Sequence, residues 1–389
     1  MKGKKECSVC RSANVETIIK IENIPVFCNV LYKTKEEAIN TAKGNIALTF
    51  CSDCGHIYNK DFKPELLEYN TDYENSLHFS EKFQEYADNL AETLIEKHDI
   101  KNKNVIEIGC GKGDFLKTIC KKGNNKGTGF DASYEPRKED KELKDVVFIQ
   151  EYYSKKHSQY KADMVCCRHV LEHVEKPRRF LAEIKKALNS QEPVFFFEVP
   201  NAMYTVREMG IWDIIYEHNS YFTKDSLSFL FQSKGLNVTG MQELFEGQFI
   251  GIEAVNNNNA SETFNVEGLK EILNHIKKFP EKYNKKVGVW RKELAEAKKK
   301  GLKTVIWGTG SKGVTFLNIL HVKDEVQYAV DINPRKQGKY IAGTGIKIIP
   351  PEKVREVKPD IVIIMNPAYE QEIQKELERL TLKAKVMVA

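Results

Sequence analysis

The residues of this 389-residue chain best placed to do chemistry begin with Cys7-x-x-Cys10 and Cys51-x-x-Cys54. Two CxxC turns offer the tetrahedral sulfur shell that a structural zinc prefers, and a closed shell of this kind takes no part in a reaction. Disulfides are the competing chemistry. An odd cysteine count of 9 and a start, Met1-Lys2-Gly3-Lys4-Lys5, without the apolar core of a signal peptide argue against them. A thioredoxin-like motif would need only one pair. Cys28, Cys110, Cys120, Cys166 and Cys167 show no ligand spacing.

A second constellation is Val105-Ile106-Glu107-Ile108-Gly109-Cys110-Gly111-Lys112-Gly113-Asp114-Phe115-Leu116, an apolar strand running through a glycine-rich turn into a helix. About 20 residues on, Gly127-Thr128-Gly129-Phe130-Asp131 supplies a second strand ending in an acid. Gly109, Gly111 and Gly113 let the backbone approach a ligand, and Asp131 can accept hydrogen bonds from a ribose diol. Glu107 sets this turn apart from a dinucleotide turn. A carboxylate there suits a cationic sulfonium better than a pyrophosphate.

The same device returns as Thr304-Val305-Ile306-Trp307-Gly308-Thr309-Gly310-Ser311-Lys312-Gly313, followed by Tyr328-Ala329-Val330-Asp331. The Gly-x-Gly-x-x-Gly lies between a strand and a helix, where it could hold NAD. Its main-chain N–H groups, the helix N-terminus and Lys312 could equally hold a substrate's phosphates. A turn that merely closes strand onto helix is the plain alternative. A loop dense in cations follows, from Asp331 through Asn333, Arg335, Lys336 and Lys339 to Tyr340. The last constellation is histidine: Arg168-His169-Val170-Leu171-Glu172-His173 after one strand and Tyr216-Glu217-His218 after the next. Imidazole titrates near working pH and suits a general base, though loop histidines also simply cap or pack.

The elements that must position these groups follow from the pattern. A helix-spaced segment from Phe79 to Lys97 leads into strands expected at Asn104–Gly109, Lys126–Asp131, Val146–Gln150, Ala162–Arg168 and Pro193–Val199. Alternation of strand and helix requires a mostly parallel, doubly wound sheet, an α/β fold. Closing strands are expected near Gly235–Val238 and Phe249–Ala254, a linker at Asn256–Asn259, and a long charged helix from Val266 to Lys300. The stretch between the two cysteine pairs shows little periodicity. The expected division is 1–70, 71–256 and 257–389. Hydrophobic residues at 41%, charged residues at 30% and a net charge of +5 describe an ordinary soluble protein. The basic excess is mild and scattered, which gives nucleic acid little support as a partner and is compatible with a phosphorylated small substrate. No apolar run reaches membrane-spanning length, and the expectation is a cytoplasmic protein.

The turn at Glu107–Gly113 with Asp131 resembles motif I of the class I S-adenosylmethionine-dependent methyltransferases. Nearly the whole chain resembles the sugar C-methyltransferases, which methylate nucleotide-linked keto-deoxysugars beside a ketone. The resemblance is carried by the paired CxxC turns, by Glu217-His218-Asn219-Ser220-Tyr221-Phe222-Thr223, and by Asp331-x-Asn333-Pro334-x-Lys336-Gln337-Gly338-Lys339-Tyr340. It implies a small N-terminal zinc module, a class I methyltransferase sheet and a C-terminal Rossmann-like lobe that binds nucleotide sugar. It also implies S-adenosylmethionine held by Glu107, Gly109, Cys110, Gly111, Gly113, Asp131, Ala132 and Arg168. Cys7, Cys10, Cys51 and Cys54 would hold Zn2+. His218 would be the base, with Glu217, Tyr216 and His173 assisting. Tyr73, Gly308, Gly310, Ser311, Lys312, Asp331, Asn333, Lys336 and Tyr340 would meet the substrate. Tyr73 belongs to an aromatic segment beginning at Tyr69.

Two departures stand out. The family commonly reads Tyr-His-Glu-His where this chain has Ile215-Tyr216-Glu217-His218, leaving open whether Tyr216 supplies the phenol. Met365-Asn366-Pro367 stands where Trp-Asn is frequent. The competing functions are an O- or N-methyltransferase on a similar sugar nucleotide, a zinc-knuckle nucleic-acid-binding protein with a scaffold methyltransferase domain, and, resting on Gly308–Gly313 alone, an NAD-dependent oxidoreductase.

Overall fold

The computed structural model describes residues 6–67, 73–74, 76–137, 140, 144–257 and 265–389. Tyr69–Asp72 and the second half of the asparagine run lie outside them.

Strands Asn104–Ile108 and Met164–Arg168 are short apolar runs, buried almost throughout. Continuous burial is what a strand covered on both faces requires. They form the middle of a seven-stranded sheet in the order Leu236–Leu244, Phe249–Asn256, Val194–Pro200, Met164–Arg168, Asn104–Ile108, Lys126–Phe130, Val146–Ile149. Neighbours from Val194–Pro200 onward are parallel, while Phe249–Asn256 runs antiparallel to both its neighbours. This is the doubly wound sheet of the class I methyltransferase fold. Helix Glu81–His98 covers it with Phe83, Ala87, Leu90, Ala91 and Leu94, an i, i+3/i+4 stripe, and Ser80 caps its first turn by accepting from the Phe83 N–H.

The C-terminal lobe holds a five-stranded, all-parallel sheet: Ile348–Ile349, Tyr328–Val330, Thr304–Trp307, Ile361–Ile364, Lys385–Val388. Strands Thr304–Trp307 and Ile361–Ile364 are neighbours, so the Gly308 and Met365 turns open side by side at their C-terminal ends, where such sheets bind ligands. Helix Val266–Lys299 connects the two lobes and buries Ile272, Ile276, Phe279, Tyr283, Trp290 and Leu294 along one side.

The weakly periodic stretch between the cysteine pairs is itself a sheet. Val15–Pro25, Lys43–Cys51 and Ile57–Asn59 pair antiparallel, and Ser220–Tyr221 adds the fourth strand. The last six residues of Lys43–Cys51 are all buried, so no polar alternation marked the strand. Ile57 faces Tyr221, Tyr58 faces Ser220, and the Asn59 N–H donates to the Asn219 carbonyl at 2.9 Å. The cysteine-bearing module is thereby joined to the segment that carries His218. No described helix is long and apolar enough to cross a membrane.

Candidate active site

Strand Asn104–Ile108 delivers the first glycine turn to the sheet's C-terminal edge. Gly109, Gly111 and Gly113 have φ of +72°, +54° and +80°, backbone that L side chains rarely adopt. A Cβ on Gly109 would lie 2.1 Å from Val170 Cγ2, and one on Gly113 2.3 Å from Phe148 Cε1. Asp131 pins the turn, accepting from the Gly111 N–H at 2.8 Å and from the Ser133 N–H at 2.7 Å. A cavity of about 250 Å³ opens here, lined by Glu107, Gly109, Cys110, Gly111, Asp131, Ala132 and Arg168. Gly113 does not line it; the contact with Phe148 is what requires glycine there.

Glu107 is buried, and its Oε2 has no hydrogen-bond partner among the described residues. Burial raises its carboxyl to about 8, against the opposing charge of Arg168. A buried carboxyl oxygen left without a partner on a cavity wall is suited to a ligand bearing a cation, whose charge would favour its ionised form, and the open glycine backbone beside it would admit that ligand. The residues fit S-adenosylmethionine. The Arg168 charge is already matched: its guanidinium lies 3.1 Å from the Glu198 carboxylate and 4.2 Å over the Phe115 ring.

A second cavity, about 280 Å³, lies between the two lobes. Gly308, Gly310, Ser311, Lys312, Asp331, Asn333 and Lys336 line one wall; Glu172 and His218 line the other, with Tyr73 from the N-terminal side. Tyr73, Ser76, Leu77, His169 and His173 line both cavities, which therefore adjoin. Asp331 repeats the work of Asp131, accepting from the Thr309 N–H at 3.0 Å and the Asn333 N–H at 2.8 Å. Lys336 is buried and reaches the Thr309 carbonyl at 3.4 Å, while Lys312 Nζ sits 2.6 Å from Asp213 Oδ1. Tyr340 differs from expectation. It lies off the cavity in β-bridges to Tyr32 and Lys347, fastening the lobe to the N-terminal module.

Opposite the glycine turn, the His173 and His218 rings stand 5.0 Å apart at 78°. His173 Nδ1 is 3.1 Å from the Glu217 carbonyl, which can only accept, so Nδ1 carries a proton. Burial, then the neighbouring charges of His173, His169 and Lys312, holds His218 well below the ordinary imidazole range. It is a neutral imidazole, and its Nδ1 has no partner among the described residues. His169, which the sequence did not single out, is the opposite case. Burial disfavours its charge, yet Glu198 at 2.6 Å and Glu172 at 3.7 Å raise it to about 9. Its φ of +54° turns the ring toward both cavities. Nothing in the local sequence separates it from an ordinary loop histidine; only Glu198, on the next strand, does so.

Tyr216 and Glu217 line neither cavity, contrary to their expected place beside the base. The Tyr216 ring stacks on Phe62 at 5.7 Å, and its hydroxyl accepts from the Lys63 N–H at 3.0 Å. Glu217 Oε2 accepts from the Cys28 N–H at 2.8 Å. Both side chains anchor the histidine segment to the N-terminal module. In register with Tyr-His-Glu-His, the phenol falls at Ile215, and Ile215 does line the second cavity. Met365 and Asn366, the second departure from the family pattern, line this cavity, and so do Asp213, Gln248 and Tyr369, which were not foreseen. Asp213 comes from the turn just before the His218 segment, Gln248 from the turn before Phe249–Asn256, and Tyr369 from the turn after Ile361–Ile364.

Cys7, Cys10, Cys51 and Cys54 form one cluster with all sulfurs within 4.8 Å of each other, and the Cys7–Cys54 and Cys10–Cys51 pairs lie at 3.6 and 3.5 Å. Tetrahedral zinc with bonds of about 2.3 Å spaces its sulfurs by about 3.8 Å. The donor set fits zinc.

Comparison with known proteins follows the same division. A family model described as a methyltransferase domain matches residues 78–240, and one described as a C-methyltransferase C-terminal domain matches residues 253–388. No curated protein matches the chain. Among solved structures, the chain is similar to magnesium protoporphyrin IX methyltransferase from Synechocystis PCC 6803, with S-adenosylhomocysteine bound there. The identity is 14%, the match covers 45% of this chain and 84% of that one, and the TM-score is 0.36. It is also similar to 1,6-didemethyltoxoflavin-N1-methyltransferase from Burkholderia thailandensis, at 16% identity over 46% of this chain and 81% of that one, with a TM-score of 0.35. Likenesses this distant carry no cofactor or substrate across. The two domain matches do bear on function, and they fall on the two lobes whose facing turns build the cavities. The chain is an S-adenosylmethionine-dependent methyltransferase with a C-methyltransferase C-terminal domain.

Proposed function

We propose that the enzyme methylates a carbon alpha to the ketone of a nucleotide-linked keto-deoxysugar, with His218 as general base. The observation that carries this is the second cavity itself. One wall is a glycine turn with Lys312 and Lys336, the other holds the neutral His218, and the cofactor cavity adjoins it at His169 and His173. The turn's N–H groups, Ser311 and the two lysines would take the phosphates, placing the sugar against the histidines.

His218 then removes the alpha proton, and the C–H electron pair delocalises onto the keto oxygen. His173, held by donation from Nδ1 to the Glu217 carbonyl and with Nε2 4.0 Å from the Glu172 carboxylate, assists by orienting the ketone. When bound, S-adenosylmethionine would supply a methyl on a positively charged sulfur, and the carbanion made by His218 would take it, the S–CH3 bond pair staying on sulfur as a neutral thioether. His218 finally releases its proton to solvent. Tyr216 and Glu217 act as positioning residues. In the same reading the four cysteines hold a structural zinc that fixes residues 1–70 against units at 71–256 and 257–389, and the partner is a small molecule, with no nucleic acid.

The test is mass spectrometry of turnover in deuterated water with a panel of nucleotide-linked 4-keto-6-deoxysugars. Methyl gain, with deuterium entering the alpha carbon in wild type and not in His218→Ala, is expected. Methyl gain without carbon exchange would move the reaction to oxygen or nitrogen, and no methyl gain across the panel would remove the sugar assignment. Because the lowered His218 must be neutral to act, the rate of the exchange step should hold constant below the usual imidazole range and fall only on further acidification.

A further inference from the structure

The lysine of the phosphate turn is already engaged. Lys312 lies in the first turn of helix Ser311–Ile319, where N–H groups and the helix dipole favour an anion. Yet its ammonium sits 2.6 Å from the Asp213 carboxylate, with the two side chains only 15% and 13% exposed. Both residues line the substrate cavity together with His218. Asp213 ends the short turn Ile211–Asp213, whose backbone at Asp213 also hydrogen-bonds His218. Trp212 of that turn packs on Phe316 of the Lys312 helix, ring centroids 4.9 Å apart. The two backbones are thus locked to each other, and only the side chains are left to exchange partners.

We infer that Lys312 and Asp213 form a transferable ion pair: a phosphoryl group entering the Gly308–Gly313 turn takes the Lys312 ammonium, and the released Asp213 carboxylate becomes the counter-charge of His218. A phosphate carries more charge than one carboxylate, and the turn's N–H groups favour it further, so the exchange runs toward substrate. It rests on reading His218 as the base and this turn as a phosphate cradle. Other charged or titratable groups around His218 are His169, Glu172 and His173 on the turn after Met164–Arg168, and Glu217 and Tyr221 on its own segment. None of them changes partner in the exchange. Before substrate arrives, the base is held weak beside an ammonium; once phosphate is bound, its conjugate acid has a carboxylate to stabilise it. Proton removal is thereby tied to a correctly seated nucleotide, and Asp213 is a positioning residue.

The experiment is NMR titration of histidine-labelled full-length protein with and without inorganic pyrophosphate, in wild type, Lys312→Met and Asp213→Asn. Wild-type His218 should titrate about one pH unit higher with pyrophosphate, as expected when an opposite charge is gained nearby. The Lys312→Met midpoint should be indifferent to pyrophosphate, and Asp213→Asn should show less than half the wild-type rise. An equal rise in Asp213→Asn would make the effect that of the phosphate charge alone and overturn the inference. So would a wild-type midpoint that stays fixed, or a failure of pyrophosphate to bind. The histidine spectra themselves report whether each variant folds. The readout does not depend on which atom is methylated, so it stands or falls separately from the deuterium experiment.

Discussion

The turns at Gly109–Gly113 and Gly308–Gly313 are built on one plan: each leaves a buried strand, enters a helix and is pinned by the acid that follows the next strand. Asp131 takes the Gly111 N–H at 2.8 Å and Asp331 the Thr309 N–H at 3.0 Å. They differ in what their glycines avoid. In the first turn all three glycines have positive φ, and side chains of Val170 and Phe148 occupy the places of two absent Cβ atoms. In the second only Gly308 has positive φ, at +106°, and Gly310 faces no atom within 4 Å. The side chains beside them differ as well: a buried carboxyl, Glu107, by the first, and the ammonium groups of Lys312 and Lys336 by the second. A shared backbone device thus says little about its ligand, and the side chains on the cavity wall say most of it.

The sharpest way to break this comparison is an alanine in each turn. Gly109→Ala forces both a clash and a strained φ, and should weaken S-adenosylhomocysteine binding in calorimetry by about 100-fold or more while lowering thermal stability. Gly310→Ala should leave that affinity alone and stability within about 0.5 kcal/mol, raising only the KM for the sugar nucleotide. Equal losses of S-adenosylhomocysteine affinity would mean that the turns do not serve separate ligands.

Next come the pinning acids. Asp131→Ala and Asp331→Ala each strip a loop N–H of its acceptor, a loss of about 1–3 kcal/mol. Steady-state kinetics should show the KM for S-adenosylmethionine rising about tenfold in the first variant and the KM for the sugar nucleotide rising similarly in the second. A cross-effect of the same size would erase the distinction.

A smaller effect concerns Glu107, whose folded value of about 8 lies above the ordinary 4.5. The stability associated with its neutral form is whole below about 4.5 and is lost as pH rises through 8. Melting of the ligand-free enzyme should therefore fall with rising pH across that window more steeply in wild type than in Glu107→Gln, and parallel curves would refute it. The smallest expected difference is in salt response. Raising the salt from about 0.05 to 0.5 M should weaken pyrophosphate binding roughly threefold and S-adenosylhomocysteine binding hardly at all, since the phosphates would draw on the Lys312 and Lys336 ammonium groups.

Much of this was legible in the residue order, because the relevant signals are local. The Glu107–Gly113 and Gly308–Gly313 turns announce themselves by glycine spacing between an apolar run and a helix, and the strands around them by short, wholly apolar stretches. The cysteine pairs are local signals too. The N-terminal sheet was not legible, since six buried residues in a row show no alternation and its last strand comes from Ser220–Tyr221. Tyr216 was misplaced for a related reason: adjacency to His218 in sequence says nothing about direction, and the two side chains point to different sides of the chain, one to Phe62 and one to the cavity.

By itself, then, the sequence determined the α/β architecture of both lobes, the two glycine turns and the four-cysteine cluster. Each depends on residues within a few positions of one another or on a repeated spacing. The tertiary structure alone decided that the two turns face one another across adjoining cavities, that Ile215 and not Tyr216 lines the second cavity, and that Asp213 holds Lys312. It also decided that His218 is neutral while His169 is charged. Those outcomes are set by burial and by partners such as Glu198, which lies 29 residues along the chain from His169 yet 2.6 Å from it in space.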